Sequence, residues 1–120
     1  MPKPRSGIPE DKLALYDRLV ATIPDIERKG ATTPYTSLNG NMFTVLSPPG
    51  SLGIRLPPAE RARFVDTYGT GLHQAHGTVM KEYVRVPDEL LARTEELRPW
   101  FELSYEYAKT LKPKPTKRAN

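Results

Sequence analysis

The amino-acid sequence predicts an α+β domain in two layers, in which an antiparallel sheet carries helices on one face. Two observations support this prediction. Apolar residues recur at helical spacing in three segments, and five shorter segments have the composition or the alternation of strands. Short turns join the first three strands, which favours antiparallel neighbours. The expected order is helix, three strands, helix, two strands and helix.

The first helix is expected to begin at Pro9 and to end near Ile23. Proline suits the first turn of a helix, because the N–H that it lacks would have no partner there. Pro24 removes a backbone hydrogen bond and should stop or kink the helix. The apolar stripe, spaced by three, four and three residues, consists of Leu13, Tyr16, Val20 and Ile23.

Three strands are expected at residues 32–38, 42–46 and 52–56. Asn39-Gly40 separates the first two and is a strong hairpin signal, since both residues tolerate positive φ. Ser47-Pro-Pro-Gly50 supplies the next turn. The third strand alternates apolar residues with other types, which predicts one buried face.

A second helix is expected from Pro58 to Gly69, because glycine commonly terminates helices. A short strand follows at residues 72–75. The last helix has Thr94 as a candidate N-cap and carries Pro99 in its interior, where a bend or a lost backbone hydrogen bond is expected. The side chains of this helix expected in the protein core are Trp100, Phe101 and Tyr107, and the alternative is that they line a groove for a partner.

The strand that opens after Gly77 and closes at Pro87 organises the predicted sheet. Its alternation places Val84 and Val86 on the helix-covered face, together with Met80 and Glu82. Lys81, Tyr83 and Arg85 fall on the opposite face.

Glu82 breaks this pattern, because a carboxylate buried without a partner costs several kcal/mol. We therefore expect either a bulge that exposes Glu82 or a partner for it. Arg55 and Arg85 would lie on the opposite face of an ideal sheet. A helix arginine such as Arg18 or Arg61 is thus the expected partner.

Composition limits the classes of function. The chain of 120 residues predicts one domain, at residues 8–111, with an arm at 1–7 and a Pro/Lys-rich tail at 112–120. The chain contains no cysteine, which excludes disulfides and thiolate chemistry. No stretch approaches the roughly 20 apolar residues of a membrane span, and no signal core follows the N-terminus, so a cytoplasmic location is expected.

The net charge of +4 comes from the two ends of the chain, because the remaining body has more acidic than basic residues. Nucleic-acid binding is therefore expected to be weak, non-specific and confined to the tail at most. The alternative is a tail that only increases solubility. The tail cations considered for this contact are Lys112, Lys114, Lys117 and Arg118.

Several segments together resemble the TfoX N-terminal domain family. They are Glu27-Arg-Lys-Gly30, Asn39-Gly-Asn-Met-Phe43, Leu56-Pro57 before a helix, and Gly77-Thr-Val-Met-Lys81 with Val84-Arg-Val-Pro87. The resemblance implies a two-layer α+β fold of the secretion-chaperone-like type. It also implies a regulatory role, since named members regulate natural competence together with other transcription factors. Members commonly carry Met-Phe-Gly-Gly where this chain has Thr33-Pro-Tyr-Thr36. We expect a single-domain member.

Candidate catalytic and metal-binding groups are few. His73 and His76 have His-x-x-His spacing, but nearby glycines make a helix that presents both side chains unexpected, so no metal site is predicted. Glu82 on an apolar face has the setting of a catalytic acid, yet one carboxylate makes no mechanism. We expect no cofactor.

The face of the sheet opposite the helices offers a more specific prediction. Arg55, Lys81, Tyr83 and Arg85 would project from it and bind an anionic partner. The alternative is a solvated face whose cations pair with nearby carboxylates. The sequence thus favours a small non-enzymatic binding or regulatory protein, monomeric or homodimeric, with another protein as its partner. The alternative is a small-ligand-binding protein or an enzyme that uses Glu82 with an arginine.

Overall fold

Four helices and five strands make up the part of the chain that the computed structural model describes, residues 8–30, 33–48, 50–75 and 77–112. The helices are α1 (Glu10–Val20), α2 (Pro58–Tyr68), α3 (Asp88–Leu91) and α4 (Thr94–Thr110). The strands are β1 (Tyr35–Leu38), β2 (Asn41–Ser47), β3 (Ser51–Arg55), β4 (Leu72–Ala75) and β5 (Thr78–Val86). They form one antiparallel sheet in the order β1-β2-β3-β5-β4. The predicted two-layer α+β fold is confirmed, with the short α3 added before the last helix.

Three element ends differ from the prediction. Helix α1 stops at Val20, and the N–H of Ile23 then bonds to the carbonyl of Val20 in a tighter turn. The first strand begins at Tyr35, which also forms an isolated bridge with Lys29. Helix α4 runs through Pro99, and Thr94 is its first residue rather than its N-cap. Pro99 lies near the start of α4 and removes one backbone hydrogen bond of the helix. Packing of the long apolar side of α4 stabilises the helix despite this loss.

The helix-covered face of the sheet is apolar. Leu52 and Ile54 of β3 pair with Val86 and Val84 of β5, and all four side chains are buried. The predicted burial of Val84 and Val86 is confirmed. Helix α4 covers this face with Phe101, whose side chain is completely buried. Burying such side chains contributes about 1.5–3 kcal/mol each.

A β-bulge in β2 adapts this strand to the helices. Thr36 pairs with Thr44 and Ser37 pairs with Met42, which leaves Phe43 as the extra residue. As a result Phe43 and Thr44 both contact helices. The Phe43 ring packs 5.9 Å from the ring of Phe101 in α4, and the Thr44 hydroxyl lies 2.7 Å from the hydroxyl of Tyr16 in α1.

The opposite face of the sheet is partly closed by β4. This strand stands at the edge of the sheet, yet a Cβ built on Gly53 of β3 would lie 2.6 Å from Cγ of His73. Strand β4 must therefore curl over the face of the sheet. Val45, Ser47 and His73 on this side are all buried. The middle of the face opposite the helices is consequently also packed, over a smaller area than the helix-covered face.

Candidate functional site

The fold divides the four residues predicted to form a binding surface into an internal pair, Arg55 with Tyr83, and two exposed cations, Lys81 and Arg85. Strands β3 and β5 are neighbours as expected, and their register pairs Arg55 with Tyr83 and Gly53 with Arg85. Lys81 and Arg85 are exposed, as the alternation predicted. Arg55 is half-buried and Tyr83 is only 7% exposed. The expectation that all four side chains project into solvent is therefore wrong for Tyr83, while binding of an anionic partner at this face stays a prediction.

Arg55 and Tyr83 are held by contacts within the protein. Arg55 Nη1 and the Tyr83 hydroxyl both donate to the carbonyl of Met42, over 3.2 and 2.8 Å. The guanidinium carbon of Arg55 also lies 5.9 Å from the centroid of the Tyr83 ring and 6.0 Å from that of Tyr107 in α4. Burial raises the pKa of Tyr83 to about 12, so its phenol stays protonated. This cluster ties β2, β3 and β5 together.

Glu82 pairs with a residue that the sequence disfavoured. Its Oε1 accepts a hydrogen bond from Arg55 Nε at 2.6 Å, while Arg61 donates to the carbonyl of Leu56 instead. The expected pairing with a helix arginine is therefore wrong, although a cationic partner exists. Gln74 pairs with Val79 but Leu72 pairs with Val84, so residues 80–83 deviate from regular pairing with β4. Face assignment by strict alternation fails at such an irregularity.

A buried serine–histidine pair, Ser47 and His73, lies on the face of the sheet opposite the helices. Nε2 of His73 is 3.2 Å from the Ser47 hydroxyl, and Nδ1 of His73 is buried without a hydrogen-bond partner among the described residues. Burial, and then the charge of Arg85, lowers the pKa of His73 below its ordinary value. Sequence reasoning missed this pair. The available signal was Gly53, since a glycine inside a strand often marks a close approach.

The serine–histidine pair does not have the geometry of a catalytic site. A nucleophile must meet its substrate, whereas Ser47 is 3% exposed and His73 is fully buried. A histidine base also needs an orienting partner, and Nδ1 has none in the described part of the chain. Within those residues no three metal-binding side chains converge. His76 lies outside the described residues, so the predicted absence of a His-x-x-His site stays a prediction.

Two clefts meet at Arg85. The larger has a volume of about 500 Å³ and is lined by charged groups of both signs, the cations Lys12 and Arg85 and the carboxylates Asp88 and Glu89. The smaller, of about 400 Å³, lies against β4 and also contains Arg85. Lys12 pairs with Asp88 over 3.2 Å. Glu82 lines neither cleft.

A third concavity lies on the helical side of the molecule, where the end of α1 meets α4. We call it the helix groove; its volume is about 420 Å³. Its apolar floor is formed by Ile23, Pro24, Pro99, Leu103 and Tyr105. Two exposed carboxylates, Glu102 and Glu106, stand at its rim.

One known protein family matches most of this chain. The family model of the TfoX N-terminal domain matches residues 20–108. The chain belongs to the TfoX N-terminal domain family. The match spans all five strands, α2, α3 and α4 as far as residue 108, so both layers of the fold belong to the family domain. No curated protein matches the sequence. Family membership supports a regulatory or binding role in general terms.

The remaining sequence predictions concern the tail and the membrane. Of the four tail cations, Lys112 is exposed and its carbonyl accepts a hydrogen bond from Asn41. Lys114, Lys117 and Arg118 lie outside the described residues, so weak nucleic-acid binding by the tail stays a prediction. Among the described residues no helix is long and apolar enough to cross a membrane.

Proposed function

We propose that this member of the TfoX N-terminal domain family is a non-enzymatic regulatory protein that binds another protein through the helix groove. The observation that carries the proposal is the groove itself, an apolar floor with carboxylates at its rim on the outside of the helical layer.

The non-enzymatic part of the proposal is supported by what the reactive side chains already contact. Glu82 is bound to Arg55, and Arg55 is held in addition by the carbonyl of Met42. His73 is buried against Ser47. Glu82 and His73 therefore each have a structural partner, which supports binding over catalysis.

The groove has the composition of a protein-binding site. Pro24 and Pro99 are exposed, and Leu103 and Tyr105 are partly exposed, so an apolar segment of a partner would remove these surfaces from water. Among the described residues, Glu102 pairs with exposed Arg98 and Glu106 with exposed Lys109, both in the same helix. Such surface pairs contribute about 0–1 kcal/mol and are readily exchanged.

The chemistry of the groove selects the partner. Carboxylates around an apolar floor favour a segment that carries apolar side chains flanked by lysine or arginine, and they repel an acidic one. We therefore propose a basic, amphipathic segment of a regulatory protein as the ligand.

Site-specific photo-crosslinking in cells tests this proposal. A photoreactive residue at Tyr105 should capture one protein or a few, and the charge-reversal pair Glu102→Lys with Glu106→Lys should abolish the capture. A matched control reverses Glu10 and Asp66, which are exposed carboxylates of α1 and α2 outside the groove; capture should persist.

Two results contradict the proposal. Capture that the groove variant leaves unchanged would show that the partner binds elsewhere. A cross-link formed only with residues 113–120 of the same chain would show that the basic tail, and no separate protein, fills the groove.

A further inference from the structure

The Arg85 side chain is held by a hydrogen bond at Nε, but not every N–H group of its guanidinium bonds to a described residue. Its Nε donates to the Thr70 hydroxyl over 3.3 Å, and that hydroxyl donates to the Arg85 carbonyl over 2.9 Å. The backbone N–H of Thr70 bonds to Val65 at the end of α2, which fixes the hydroxyl. Within the described part of the chain, neither Nη group of Arg85 has a hydrogen-bond or ion-pair partner. A positioned guanidinium fork is thus left open.

The smaller cleft at Arg85 combines a cation with polar and apolar groups. Ser51, Gln74 and Arg85 are the polar residues that line it, and Leu72 is the large apolar one. Leu72 is one of two large apolar side chains that the structure exposes, at 37%. Among the described residues that line this cleft there is no carboxylate. The cleft therefore suits a ligand with an anionic end and an apolar body.

The charge around the cleft distinguishes between anions. In the adjoining larger cleft Lys12 is neutralised by Asp88, and Glu89 adds a further negative charge. Among the described residues that line the two clefts, Arg85 is thus the cation left for a ligand, which matches one negative charge rather than the two of a phosphate monoester. A planar carboxylate also fits the fork of a guanidinium in a bidentate manner.

We propose that the smaller Arg85 cleft binds a small organic monocarboxylate, with the carboxylate on the Nη groups of Arg85 and on Ser51, and the apolar body against Leu72. This site is on the sheet side of the molecule and does not depend on the protein partner proposed for the helix groove.

Nuclear magnetic resonance titration of the purified ¹⁵N-labelled protein tests the site. Benzoate is the probe, benzamide is its uncharged analogue, and inorganic phosphate, a mixture of monoanion and dianion near neutral pH, is the more highly charged comparison. We expect saturable shifts at Ser51, Gln74 and Arg85 with benzoate, and at least tenfold weaker binding of the other two probes.

Two exposed cations of β5 give a matched pair of variants. Arg85→Gln should weaken benzoate binding about tenfold or more, while Lys81→Gln, which changes net charge equally outside the cleft, should leave it unchanged. Arg85→Lys retains the charge without the fork and should bind with intermediate affinity. Leu72→Ser should weaken benzoate more than acetate.

The proposal is overturned if benzoate causes no saturable shifts, or if Arg85→Gln and Lys81→Gln weaken it equally. Equal binding of benzoate and benzamide would also overturn it, because the carboxylate would then make no specific contact. Tighter binding of phosphate than of benzoate would replace the monocarboxylate by a phosphate ligand and would likewise refute the proposal.

Discussion

The two faces of the sheet are both buried over much of their area, but different interactions hold them. The helix-covered face is apolar, with Ile54, Val84 and Phe101 in one buried cluster. The opposite face is closed by specific polar contacts, such as the one between Ser47 and His73. Apolar packing tolerates exchanges of similar volume, whereas a buried polar contact fails when either partner is removed. Stability should therefore depend on side-chain volume on the helix-covered face and on individual side-chain atoms on the opposite face.

The largest expected effect is on the helix-covered face. Phe101→Ala removes a fully buried ring that packs on Phe43, and should lower the free energy of unfolding by about 3–5 kcal/mol. Phe101→Leu keeps most of the volume and should cost less than about 1.5 kcal/mol. Urea unfolding followed by circular dichroism measures both. Equal losses for the two variants would contradict a dependence on volume.

The next effect is on the opposite face, at Gly53. An added methyl group would lie 2.6 Å from the His73 ring, so Gly53→Ala should lower the free energy of unfolding by about 1–3 kcal/mol. Glycine to alanine within a strand otherwise stabilises by about 0.5–1 kcal/mol, so even the sign is diagnostic. Gly71→Ala meets no atom within 4 Å and is the matched control. If the double variant Gly53→Ala, His73→Ala shows no recovery in a mutant cycle, the proposed clash is not the cause.

A smaller effect concerns pH. Because the pKa of His73 is lowered in the folded protein, the unfolded chain binds a proton at higher pH than the native protein does. Stability should therefore be fully present above the ordinary histidine pKa of about 6.5 and should fall as pH drops below it. His73→Gln should reduce this pH dependence. Unfolding free energies between pH 5 and 8 test the prediction, and an unchanged slope in the variant would assign the effect to another group.

The smallest effect is expected at Glu82. Its side chain is 41% exposed in the pair with Arg55, so water screens the attraction and Glu82→Gln should cost no more than about 1 kcal/mol. Glu95 is 83% exposed in a pair with Arg98, and Glu95→Gln should cost close to nothing. Thermal unfolding at low and at high salt compares the two. A stabilised Glu82→Gln protein would mean that the carboxylate is strained rather than paired.

The sequence by itself determined the fold class, the order of the elements and the helix-covered face. Alternation in β3 and β5 identified Ile54, Val84 and Val86, because a strand with one buried face must place apolar side chains at every second position. The two-residue turn at Asn39 and Gly40 was also local in origin, and both residues have positive φ as predicted.

Only the tertiary structure decided the opposite face. The curl of β4 brings His73 over Gly53, and this contact depends on strands that are distant in the chain. The irregular pairing of residues 80–83 places Glu82 within reach of Arg55, against strict alternation. Long polar side chains choose their partners by geometry over several ångströms, which residue type and spacing do not encode. Residue type and spacing predicted Arg85 as a binding residue, but only the fold showed that it lies between two clefts.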